Sequence, residues 1–181
     1  MNPSQSLKSQ DEPCKPDCFN DNWQPPFPLP ANTVVISLSE CNNAQITVKF
    51  RQRRACNTWW DCYIENIEWL APNGYEDCIN SFGGLSNYVE AVTKLAFISL
   101  YPTSPQYVWR IMDGACWEAD YEKKAIKPCN NINIVCCLQE YYIYYDGFQW
   151  KCQKTPSIFI EGECEQNQYN CIPVCGSVYG R

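Results

Sequence analysis

From Thr33 onward, apolar residues recur at the two-residue spacing of strands that bury one face. Thr33–Leu38 (TVVISL) is a short β-branched run. Gln45–Arg53 (QITVKFRQR) alternates without a break, with Ile46, Val48 and Phe50 on one face and Thr47, Lys49, Arg51 and Arg53 on the other. Asn57–Leu70 continues with aromatic and β-branched residues. A hairpin between these two runs, turning near Cys56, places Arg51 opposite Asp61, Phe50 opposite Cys62 and Lys49 diagonal to Glu65. It gathers Ile46, Val48, Phe50, Cys62 and Ile64 on a buried face. The basic run KFRQRR then pairs with acids across the ladder instead of forming a polyanion site.

Asn73-Gly74 ends that strand, and Gly83-Gly84 leads into a different period. In Leu85–Leu100, Leu85, Val89, Val92 and Ala96 form one stripe with Tyr88 and Leu95 on its flank. Glu90 and Lys94 pair outside it, and Pro102 and Pro105 close this single helix. Two further hairpins follow. Gln106–Met112 and Ala115–Tyr121 flank Asp113-Gly114; Ile132–Tyr145 and Phe148–Lys154 flank Asp146-Gly147. A two-residue turn at the latter sets Tyr145 against Phe148, Ile143 against Trp150 and Tyr141 against Cys152. This places Tyr141, Ile143, Tyr145 and Trp150 in the core and turns Tyr142 and Tyr144 outward. The fold class expected is α+β: a mainly antiparallel, disulfide-rich sheet or sandwich of about six strands, with one packed helix.

The two ends lack these periods. Seven prolines in residues 1–30 make an extended arm with Trp23 and Phe27 as apolar anchors; residues 31–155 form the core, and residues 156–181 an irregular tail. Cysteine explains how such ends are held. There are 14 in the 181 residues: Cys14, Cys18, Cys41, Cys56, Cys62, Cys78, Cys116, Cys129, Cys136, Cys137, Cys152, Cys164, Cys171 and Cys175. Without any histidine or C-x2-C pair, zinc spacings are missing and disulfides are the reading for all fourteen. Adjacent strand positions face opposite sides, so Cys136 and Cys137 should bridge different partners. This density points to an extracellular or cell-surface location, with a signal peptide, not written in residues 1–30, taken as removed. No run is apolar enough for a membrane-spanning helix.

A net charge of −6 disfavours nucleic acid. The lack of histidine removes the Ser-His-Asp and Cys-His arrangements. Glu65 with Glu68, or Asp113, Glu118, Asp120 and Glu122, could supply a glycosidase-type acid pair. Twenty acids produce such pairs by chance, and solvated strand edges explain them equally well. No enzyme activity and no cofactor are expected. Function is read instead as a secreted structural or assembly protein, self-associating through its N-terminal arm in a fibre or surface layer. The alternative is an adhesion or carbohydrate-binding module, in which exposed members of Trp59, Trp60, Trp69, Trp109, Trp117 and the YYIYY run stack on a glycan. Trp23, Phe27, Tyr142 and Tyr144 are the candidate partner-binding residues.

Overall fold

The computed structural model describes residues 22–26, 28–55, 59–100, 106–113, 116–129, 136–161 and 171–173, with backbone alone at 55, 59, 106–113, 136–138, 156–161 and 173. The fold is α+β. Nine described strands form one mainly antiparallel sheet: β1 (Asn32–Leu38), β2 (Ala44–Ala55), β3 (Trp59–Trp69), β4 (Gln106–Asp113), β5 (Cys116–Asp120), β6 (Ala125–Pro128), β7 (Cys136–Tyr145), β8 (Trp150–Glu161) and β9 (Ile172–Pro173). Two helices, α1 (Tyr75–Ser81) and α2 (Leu85–Leu100), join β3 to β4.

The sheet runs β1-β2-β3 and then divides. The first half of β3 carries β4, β7 and β8, whereas its last residues carry β6, β5 and β9. Strands β3 and β4 are parallel. Parallel neighbours need a long crossover, which α1 and α2 supply. The expected hairpin at Asp113-Gly114 is therefore absent: β4 is paired on both edges, by β3 and β7, leaving no edge for β5. Strand β5 pairs with β6 instead. The carboxylate of Asp120 accepts the Lys123 amide, and Lys124 takes a positive φ of 51°, which closes that turn.

Helix α2 spans the residues its periodicity indicates. Tyr88, Val89, Val92, Ala96 and Phe97 are buried, and the helix contacts β1, β7, β8 and β9. Phe97 meets Tyr141 of β7 edge-on at 5.2 Å. On the outer side Glu90 pairs with Lys94 one turn on, and also with Lys154 of β8, both at 2.7 Å. Helix α1 was not expected. Its buried Tyr75, Cys78 and Ile79 follow helical spacing, but seven residues are too few to stand out from a loop beside Asn73-Gly74.

The β2–β3 ladder keeps the expected faces and shifts by two residues from Phe50 to Ala55 and by three from Ile46 to Lys49. Arg53, not Arg51, lies opposite Asp61; Phe50 meets Ile64, and Cys62 meets Gln52. A bulge between Lys49 and Phe50 absorbs one residue. The even shift preserves side-chain parity from Phe50 onward and the bulge takes up the odd residue before Lys49, so Ile46, Val48, Phe50, Cys62 and Ile64 still share the core. The basic run does pair with acids: Lys49 with Glu68 at 2.6 Å, Arg51 with Glu65, and Arg53 with Asp61 at 2.9 Å.

Candidate functional site

The other face of β2 and β3 is also covered, by the last part of the proline-rich arm. Gln24 bridges Gln52, exchanging backbone hydrogen bonds of 2.8 and 3.0 Å. Trp23 is only 4% exposed and lies on the Arg53 guanidinium, 4.3 Å from it to the ring centre, with Tyr63 alongside. Arg51 donates to the carbonyls of Pro25 and Leu29, each at 2.6 Å. Trp23 is therefore a core residue of its own chain. An apolar ring able to stack on a desolvated guanidinium docks where it is nearest. Phe27, Cys14 and Cys18 lie outside the described residues.

Beneath this strap sits a charged pair out of water. Arg53 donates to Asp61 in full burial, and the second Asp61 oxygen has no hydrogen-bond partner among the described residues. Burial pushes the Asp61 carboxyl up to about 6, against the opposing pull of Arg53. The sign follows: a raised acid favours the folded state while protonated, and that contribution is lost as pH climbs from about 4 through 6. Wild-type stability minus that of Asp61→Asn, measured by urea titration, is expected to decline across this window. A flat or rising difference would contradict the assignment.

Tyr142 and Tyr144 stand half-buried on the outer face of β7 and stack on each other, centroids 5.4 Å apart and planes 18° from parallel. Each thus uses one ring face on its neighbour. Of the other aromatics, Trp117 and Trp69 are buried, and Trp60 is half-buried under the Arg54 guanidinium at 4.7 Å. The side chains of Trp59 and Trp109 lie outside the described residues. Four of the candidate acids are engaged in ion pairs, Glu65 and Glu68 as above, Glu118 with Lys127 and Asp120 with Lys123, and the side chain of Asp113 lies outside the described residues.

The most exposed aromatic among the described residues is one that the alternation misplaced. The β7–β8 turn is two residues longer than expected: Tyr145 pairs with Trp150, Ile143 with Cys152 and Tyr141 with Lys154. Asp146 shapes it. Its carboxylate accepts the amides of Gln149 and Phe148, both at 2.9 Å, which hold its carboxyl below the usual range, and its own amide donates to Gln149. Phe148 is thereby displayed at 92% exposure on a closed turn. Tyr145, expected in the core, is 53% exposed beside half-buried Trp150; the described part of β4 begins at Gln106, opposite Ile143.

A cleft of about 380 Å³ lies beside the Cys41–Cys78 disulfide, which ties the turn after β1 to α1. Ala44, Trp69 and Ala71 line it with the disulfide, and Glu40 and Asp77 sit at its polar margin. A second disulfide, Cys129–Cys171, staples part of the tail beside β6, and Cys116 is also bridged, its partner lying outside the described residues. Cys152 departs from the all-bridged expectation. It is a free thiol opposite Ile143, near Glu90 and Lys94 of α2, and burial pushes it up to about 12. Cys56, Cys164 and Cys175, like the side chains of Cys136 and Cys137, lie outside the described residues. The described residues contain no cluster of three or more potential metal ligands, and no described helix is long and apolar enough to cross a membrane.

No protein-family profile, curated protein or solved structure matches this chain.

Proposed function

We propose that this is a secreted structural protein that works by joining copies of itself, the joint lying on the sheet and not in the arm. The observation that carries this reading is the β7–β8 tip. Exposed phenylalanines are ordinary when scattered, but Phe148 is held on a turn whose backbone is fixed by Asp146, next to an exposed Tyr145. A preorganised aromatic anchor loses little entropy on docking, the property that makes such residues dominate interfaces. The two disulfides support an oxidising location outside the cell. Glycan binding is the weaker reading. A sugar-stacking platform needs free ring faces, and Tyr142 and Tyr144 turn one face each toward the other.

Sedimentation velocity of the unreduced protein over a hundredfold concentration range tests the proposal. A sedimentation coefficient that rises with concentration is expected. A single monomer boundary throughout would overturn it.

A further inference from the structure

Resting on that assembly reading, we infer that the receptor for the Phe148 tip is the cleft beside Cys41–Cys78 in a second copy of the chain, so that copies join head to tail. Register gives the geometry. The cleft lies at the Trp69 end of β3, because Trp69, Ala71 and Ala44 line it and Trp69 is next to Ile46 across the ladder. The tip lies beyond the opposite end. Val108 of β4 is level with Trp60, Gln106 precedes it, and Ile143 stands opposite Gln106, so Tyr145 and the turn project further still. About a dozen residue steps along the strands put tip and cleft roughly 40 Å apart. One copy therefore cannot fill its own cleft with its own tip.

The two surfaces also match in chemistry. Trp69, Ala44, Ala71 and the disulfide give the cleft an apolar side, faced by Asn42, Asn73 and Ser81, at a volume within the range of small-molecule sites. Its margin is acidic, with Glu40 and Asp77. The tip offers an aromatic ring and, beside it, the exposed ammonium of Lys151, 3.5 Å from Asp146. Asp146 is the one like charge brought to that margin, and its oxygens are already occupied by two amides and Lys151. A contact between two different patches on identical subunits is heterologous. Where the rotation does not close, it extends without limit.

Complementation tests this. Phe148→Ser destroys the tip and keeps the cleft; Ser81→Trp fills the cleft, of which Ser81 is an exposed lining residue, and keeps the tip. Each variant alone should weaken self-association roughly 10- to 100-fold, the loss of one buried aromatic contact. Mixed in equal amounts, they should give a one-to-one heterodimer that grows no further, seen by sedimentation and by native mass spectrometry. Circular dichroism checks that each is folded, and Glu40→Lys with Asp77→Lys provides a second cleft variant should Ser81→Trp not fold. If wild type assembles but both variants assemble equally well, the joint is elsewhere and this inference fails while the assembly reading stands. The uncharged β1 edge would then be the place to look, since β8 is blunted by Lys151, Lys154 and Pro156. If wild type stays monomeric at every concentration, both fail.

Discussion

Asp61→Ala is expected to destabilise the protein by about 3–5 kcal/mol, although the charge it removes is itself uncomfortable in the folded state. The two facts are compatible. Burial raises the Asp61 carboxyl, so the attraction of Arg53 repays less than the cost of desolvation. Removing one member leaves the Arg53 guanidinium buried beneath Trp23 without the Asp61 carboxylate. The double replacement Arg53→Met with Asp61→Leu should accordingly be near neutral, because it removes both desolvation terms and keeps an apolar stem under the Trp23 ring. Urea denaturation of the two singles and the double forms a complete cycle. A double variant as unstable as the sum of its singles would show that the pair is not coupled as described.

The second large effect belongs to the Cys41–Cys78 bridge. It closes a span of 37 residues, for which loop entropy alone gives about 4 kcal/mol. The cost of Cys41→Ala with Cys78→Ala should be local as well as global. Helix α1 has seven residues, too few to persist without tertiary support, and its Cys78 is one of three buried anchors. Hydrogen exchange should therefore accelerate in α1 before it does in β2 or β3. A loss under about 1 kcal/mol with α1 still protected would show that packing of Tyr75 and Ile79 suffices. Because the same bridge lines the cleft, assembly should weaken in parallel.

What the residues revealed in advance was parity and period. The alternation in Gln45–Arg53 identified the buried face correctly even though the ladder is offset, since the slip from Phe50 onward is an even two residues and the bulge beside Lys49 takes up the odd one. The stripe in Leu85–Leu100 marked α2 because sixteen residues repeat the pattern over several turns. Long-range decisions were not legible. Nothing local says that β4 pairs with β3 and β7 instead of β5, because Asp113-Gly114 is as good a turn signal as Asp146-Gly147 and only the crossover through α1 and α2 decides it. The candidate site was hidden for a related reason. Counting Tyr145 and Trp150 as core assumed a two-residue turn and a sheet that covers the whole strand. The Asp146 side chain made the turn longer, and the described part of β4 begins at Gln106. Trp23 looked like an anchor for a partner because it is one of few large apolar residues in a polar arm, and burial of both Arg51 and Arg53 was needed to give it a place at home.

The head-to-tail joint is tested most directly by replacing Phe148 with photoreactive p-benzoylphenylalanine, irradiating the assembled protein and mapping the crosslinks by mass spectrometry. Isotope-labelled and unlabelled copies are mixed to distinguish links between chains. Crosslinks between chains from position 148 to the segments around Glu40–Ala44 and Asn73–Ser81 are expected. Efficient crosslinking confined to other surfaces, or to residues of the same chain, would contradict the joint.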